Sequence, residues 1–436
     1  MNIILIAVDT LRADHLGCYG YHRATSPHID AFAAESVLFE SHISPAIPTH
    51  PAFTTINTGQ HSITHGIVAH GGQRTIPRHA PWLPQLLGKA GFTTCAVDNL
   101  SQWHLDFHRG FEFYIDPTQR RELSINADNR EINRRVLPWL EQHHSEQFYL
   151  FIHYWDPHTP YLPPRAYRKL FYDGDPCDPA NTTLEGLDRH PLGKVWRDTW
   201  FPQLGGHITD ANYIEALYDG EIRYCDEGIG TLLDTVDRLG LRDDTLVVLT
   251  GDHGELMYRH GIFFDHHGLY EGNLHVPFIV RCPGVKPGRV RELTAHTDLA
   301  PTLLDLSGLH VPEAMEGISL APWLRGEADS PTRPFLVCEE CTWQMKWALR
   351  TPTHKFILAR QPDVYGTPSR ELYDLTADPQ ELHNIASEQP ALAQALEDTL
   401  EQWIRAKMEQ NGLTEDPLVA HGLTLGKPSG QGEAGA

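Results

Sequence analysis

The feature that most constrains this chain is a repeated one: a fully apolar run of strand length that ends in an acid or a histidine. Asn2-Ile3-Ile4-Leu5-Ile6-Ala7-Val8 leads into Asp9. Thr93 to Val97 leads into Asp98, and Phe148 to His153 leads into Trp155-Asp156-Pro157-His158. Thr245 to Thr250 leads into Gly251-Asp252-His253-Gly254, and Val276 to Val280 supplies another run. Runs with no polar alternation are strands buried on both faces, the pattern of a parallel sheet. Helical stretches fall between them at Ser26–Glu35, Pro81–Ala90, Asn129–His143, Ile214–Leu239 and Asp298–Leu306. Strand and helix alternate over most of the chain. This predicts an α/β fold with a doubly wound, mostly parallel central sheet and helices on both faces. In such sheets ligands sit outside the carboxyl ends of the strands, where these acids fall.

Residues 1–325 are read as this catalytic domain, with 163–206, rich in Pro, Asp, Gly and Trp, as an inserted segment placed to act as a lid. A small C-terminal α+β subdomain is expected at 326–415, from strands at Pro334–Cys338, Lys346–Arg350 and Lys355–Ala359 and a helix at Pro390–Gln410. A flexible tail is expected at 416–436. The 436 residues carry 35 Lys+Arg against 57 Asp+Glu, a net charge of −22, which disfavours a nucleic-acid partner. No apolar stretch reaches the roughly 20 residues that span a bilayer, so no membrane partner is expected. The first residues lack the basic flank and cleavage site of a signal peptide, which predicts a cytoplasmic protein. Seven scattered cysteines, with Cys338-x-x-Cys341 the one close pair, predict reduced thiols rather than a disulfide framework or a zinc site.

Acids and imidazoles gathered at one sheet edge make a mixed oxygen–nitrogen metal site. Asp9, Asp252 and His253 are the first ligand candidates. The run His260 to Glu271, with three histidines and three aromatics, reads as a binding wall. In Pro48-Thr49-His50-Pro51, Thr49 stands at a helix start. One role for it there is an N-cap. The other is a hydroxyl nucleophile whose pKa a bound metal lowers.

With these residues in view, the chain resembles the sulfatase family of the alkaline phosphatase superfamily. The resemblance rests on Asn2 to Tyr21, Thr49-x-Pro51 with Thr58-Gly59, Ile152 to Tyr161, Thr250 to Glu255, His266 to Pro277, Thr297 to Gly308 and Glu371 to Asn384, in the family's order. It implies an alkaline phosphatase-like fold and a metal on Asp9, Thr49, Asp252 and His253. Several positions depart from the family's pattern. Thr49 stands where sulfatases carry the Cys or Ser that becomes formylglycine, and threonine cannot be so converted. Phe53 replaces the motif's arginine, Gln102-Trp103-His104 lacks the family's lysine, Thr10 replaces a second aspartate and His253 an asparagine. These departures resemble the phosphatase, phosphodiesterase and phosphonate-ester branches. They imply a metal-dependent hydrolase of phosphate or phosphonate esters with Thr49 as nucleophile. His158, His266 or His267 is expected to supply the leaving group's proton, with His70 lining the site. His104 is expected behind it, and His61 and His65 in structural roles. The nitrogen ligand favours manganese, zinc or iron over calcium. The alternatives are a sulfate-ester hydrolase without formylglycine, a phospho-group transferase and a silent metal-binding scaffold. The expected partner is a small-molecule ester, with room left for a homo-oligomer.

Overall fold

The computed structural model describes residues 1–71, 74–118, 127–327 and 333–424. Its strands, in chain order, are β1 (Asn2–Val8), β2 (Val37–Ile43), β3 (Ala46–Ile47), β4 (Thr93–Val97), β5 (Phe113–Ile115), β6 (Phe148–Tyr154), β7 (Thr245–Gly251), β8 (Leu256–Arg259), β9 (Ile262–Asp265), β10 (Phe278–Arg281), β11 (Gly288–Ala295), β12 (Leu336–Glu340), β13 (Lys346–Arg350), β14 (His354–Ala359) and β15 (Arg370–Asp374). Eight of them form the central sheet in the order β11-β2-β10-β7-β1-β6-β4-β5. Every pairing is parallel except those of β10, which runs antiparallel to both β2 and β7.

The apolar run of β1 shows why this sheet needs two helical layers. Ile4, Ile6 and Val8 enter one core with the helices Pro27–Ala34, Asn129–His143 and Ala211–Arg238. Ile3, Leu5 and Ala7 point the other way, into a core with the helices Thr49–Thr58, Leu83–Lys89 and Leu299–Leu306. All seven residues of the strand are buried, so neither face can be left to water.

The C-terminal sheet runs β15-β14-β13-β12-β3. Its last strand comes from the N-terminal half: Ala46 and Ile47 pair in parallel with Glu339 and Glu340. The helix Pro390–Gln410 covers the sheet, burying Ala393, Leu400 and Ile404 against Trp347, Leu349 and Phe356.

One expectation needs correction. The chain does not become loose at residue 416. Pro417–His421 is a helical turn, Leu418 and Leu423 are buried in the C-terminal core, and Asp416 accepts from Trp347 Nε1 and pairs with Arg360. The remainder of the expected tail, and part of the 326 boundary, lie outside the described residues. The 163–206 insertion is anchored as well. Leu187, Trp196, Trp200 and Phe201 are buried, with Trp200 edge-on to Tyr161 at 5.2 Å and to Phe264 at 5.8 Å between ring centroids.

Candidate active site and metal centre

Strand register builds the site. Val97 of β4 stands beside Ile152 of β6, and Ile152 beside Ile6 of β1. Val8 of β1 stands beside Gly251 of β7. The carboxyl ends of four adjacent strands therefore carry Asp98, His153, Asp9 and Asp252 in a row. His153 donates from both ring nitrogens, to Asp98 Oδ1 at 2.9 Å and toward Asp9 Oδ2 at 3.2 Å. Burial opposes its charge. The two carboxylates outweigh burial and push its pKa up to about 10, so it is an imidazolium.

Each metal-candidate carboxylate has one oxygen anchored and one free. Asp9 Oδ2 meets His153, while Asp9 Oδ1 has no partner. Asp252 Oδ1 accepts from the backbone N–H groups of Thr10 and His253 at 3.2 and 2.8 Å, while its Oδ2 has none. The Thr10 amide reaches that oxygen because Thr10 adopts a left-handed φ of 53°, rare for a β-branched residue. His253 Nδ1 donates to the Gly254 carbonyl at 2.9 Å, which leaves Nε2 with its lone pair. One ligand atom from each of Asp9, Asp252 and His253 lies within 4.8 Å of the others. All three residues are fully buried. Burial and the Asp9 charge raise the pKa of Asp252; hydrogen bonding to His153 and the nearby imidazoles outweigh burial at Asp9 and lower its value. Two buried carboxylates with unpartnered oxygens and a presented imidazole nitrogen fit a divalent cation.

Thr49 faces this centre. It is the first residue of the helix Thr49–Thr58, Pro48 holds the N-cap position, and no side chain caps the helix. Its hydroxyl lies 3.1 Å from His253 Nε2. The hydroxyl is therefore directed at the ligand set and not at a backbone amide of its own helix. Phe53, one turn on, packs edge-on to His153 at 4.8 Å.

A cavity of about 290 Å³ opens over Thr49. His70, His158, His266 and His267 all line it, with Leu100, Trp103, Trp155, Leu192 and Trp343 as its apolar walls. Burial and the nearby His104 drop the His70 pKa to about 4, so it is neutral. His158 Nδ1 donates to the Thr159 carbonyl at 2.6 Å, which leaves Nε2 for a proton. His104 stacks on His50 at 3.5 Å in the cavity wall. His61 and His65 are structural, bonded to the Val337 carbonyl and the Thr55 hydroxyl.

The wall expected from His260 to Glu271 is only partly there. Asp265, His266 and His267 face the cavity. His260 stacks on Tyr270 at 3.7 Å, and Glu271 pairs with Arg350 and Lys355. Phe263 and Phe264 are core residues. Asp156 also turns away, accepting from the Asn129 amide. His153 was missed as a site residue. Its position in a continuous apolar strand hid it, and only the register beside Asp98 and Asp9 reveals it.

The fold and the metal-fitted site define a metal-dependent ester hydrolase of the alkaline phosphatase-like class. Residues 1–309 match the family described as Sulfatase, and residues 259–410 match N-sulphoglucosamine sulphohydrolase, C-terminal. The chain belongs to the sulfatase family. An N-acetylglucosamine-6-O-sulfatase of Bacteroides thetaiotaomicron is 24% identical, the match covering 92% of this chain and 86% of the relative. The phosphonate monoester hydrolase of Agrobacterium radiobacter has the same fold, with a TM-score of 0.72 at 21% identity over 94% of this chain and 96% of its own. That of Silicibacter pomeroyi gives 0.72 at 22% identity over 96% of each.

Proposed function

We propose that this enzyme hydrolyses phosphorus esters bearing a single negative charge, phosphodiesters or phosphonate monoesters, with Thr49 as the nucleophile. The observation that carries the reading is the placement of the Thr49 hydroxyl, 3.1 Å from His253 Nε2, the nitrogen that itself lies 3.3 Å from Asp252 Oδ2. Asp9, Thr49, Asp252 and His253 would hold the divalent ion. Their oxygen-rich set with one imidazole suits manganese, iron or zinc. When bound, such an ion lowers the hydroxyl's pKa and offsets charge on the ester's non-bridging oxygens.

Thr49 Oγ1, its proton given up to solvent, forms the new bond to phosphorus, and the bond to the departing oxygen breaks. His158 Nε2 gives that oxygen its proton. Water then attacks the phosphothreonine from the same cavity, returning a proton to His158 and releasing the acid. The apolar cavity walls exclude water and suit an aromatic or hydrophobic leaving group. No Lys or Arg lines the cavity among the described residues, which favours monoanions over phosphate dianions.

The same charge argument admits sulfate monoesters, and the match to N-sulphoglucosamine sulphohydrolase favours that second reading. Formylglycine, unavailable from threonine, separates the two. A metal-replete panel of aryl phosphodiester, phosphonate monoester, phosphate monoester and sulfate ester is the test. The expected order places the phosphorus monoanions first by kcat/KM. Thr49→Ala should lose several orders of magnitude while Thr49→Ser keeps measurable turnover. Sulfate ranking above every phosphorus ester, or near-wild-type turnover in Thr49→Ala, would overturn the proposal.

A further inference from the structure

A second cluster of ligand-type side chains faces the same cavity, outside the set around Asp9. Asp265 ends β9, His266 and His267 follow it, and one ligand atom from each lies within 4.8 Å of the others. Glu255 joins them from the residue before β8, because Leu256 and Asp265 are register partners in the β8–β9 pair. We propose that Asp265, His266, His267 and Glu255 bind a second divalent cation beside the Asp9 centre.

Three geometric observations support this. The first is spacing. His267 Nε2 lies 3.7 Å from Asp265 Oδ1, and His266 Nδ1 lies 3.9 Å from Asp265 Oδ1 and 3.7 Å from Glu255 Oε1. These gaps are too long for hydrogen bonds. They match two ligands that share one ion at about 2.0–2.2 Å each, which stand about 3–4 Å apart. The second is unmet polarity. Glu255 is fully buried with the Tyr161 hydroxyl as its one hydrogen-bonding neighbour, outside good geometry, and His266 Nδ1 is without a partner. A native protein rarely buries such atoms without a ligand.

The third is the support behind the ligands. His267 donates from Nδ1 to Glu340 at 3.1 Å, which turns the Nε2 lone pair toward Asp265. Glu340 is itself fixed by the backbone amides of Thr342, Trp343 and Gln344. A carboxylate behind a histidine is how metal ligands are oriented. His190 accepts from the Leu192 amide at Nδ1, so its Nε2–H faces Asp265 Oδ2, 3.4 Å away. It positions the carboxylate and is not a ligand. Tyr365 donates to the same oxygen. Phe264, immediately before Asp265, holds a left-handed φ of 49°, a cost that a bulky side chain accepts where position matters. His266 stacks on His253 with ring centroids 4.8 Å apart, so the two ligand sets are adjacent across this pair. Two ions so placed would clamp one ester from two sides.

The inference does not depend on Thr49 acting as nucleophile. The test is zinc stoichiometry of the full chain after chelator treatment and equilibrium dialysis against Zn²⁺, with anomalous scattering at the zinc edge to locate the ions. Wild type and Thr49→Ala should each take up about two equivalents. Glu255→Gln and His267→Ala should take up about one, with the peak at Asp265 gone and that at Asp9 kept. Asp252→Asn should show the reverse. Asp265→Asn, close to isosteric, repeats the test should His267→Ala fail to fold. Saturation of wild type at one equivalent, or an unchanged count in the folded Glu255→Gln and Asp265→Asn proteins, would overturn the proposal.

Discussion

At the scale of single residues, the clearest contrast lies between Phe53 and His153. An arginine at position 53 would have to enter a pocket formed by Phe107, Phe151 and the edge of His153. The cation serving Asp9 and Asp98 is already His153. Phe53→Arg therefore buries a second positive charge beside the first, where Asp9 and Asp98 already serve His153. A loss of about 3–5 kcal/mol is expected, read as a lower denaturation midpoint, with no gain of sulfate-ester turnover. Unchanged stability would show that the guanidinium finds a partner. The convergence of Asp9, Thr49, Asp252 and His253 was legible because chemistry-bearing residues ended or followed recognisable segments. The proximity of Glu255 and His190 to His266 and Asp265 was not, since nothing local distinguishes a buried glutamate or a loop histidine from solvated ones.

Among the elements, what could be read followed polarity. β1, β4, β6 and β7 are apolar runs, and their residues were predicted almost to the end. β2 contains Glu40, Ser41 and His42, and β11 alternates Arg and Glu with apolar residues. Both lie toward one edge of the sheet, where Arg289 and Arg291 are exposed and Glu40 and Ser41 half-buried, although His42 is buried, and neither strand stood out in the sequence. β3 is two residues long and gains its identity from β12, nearly 300 residues away, so no local signal exists for it. The inserted segment 163–206 was recognised as an insertion, but its attachment through Trp196 and Trp200 was not. Trp200 is 1% exposed and holds the segment to Tyr161 and Phe264. Trp200→Ala should cost about 3–5 kcal/mol. Leu192, near the same anchor, lines the cavity. The variant should therefore also weaken discrimination among leaving groups, seen as kcat/KM values that converge across an aryl ester series. Loss of stability with unchanged discrimination would make the segment a structural cover and not a cavity wall.

Across the whole molecule, the many histidines set how stability responds to acid. His296 is representative. It is fully buried, and its Nε2–H donates to the Gly251 carbonyl on the strand that carries Asp252. Burial lowers its pKa from the ordinary 6.5 to about 3. The folded state therefore binds fewer protons than the unfolded chain between those values. The contribution of the neutral imidazole is complete above about pH 6.5 and declines steadily as pH falls toward 3. His42, His50 and His65 are shifted in the same direction, each by burial first. His153 is shifted upward and is charged throughout that window, so it does not oppose the trend. The buried histidines therefore pull the melting temperature down as pH falls below 6.5, against buried acids such as Asp156 and Glu381, whose raised pKa values act in the opposite direction. His296→Gln keeps a donor for the Gly251 carbonyl and cannot take up a proton. It should flatten part of that decline, by an amount on the order of a few kcal/mol at pH 4, while leaving the melting temperature at pH 8 nearly unchanged. Parallel curves for the two proteins between pH 4 and 8 would mean that His296 is already protonated in the fold, and the acid response would then have to be assigned to the other buried imidazoles.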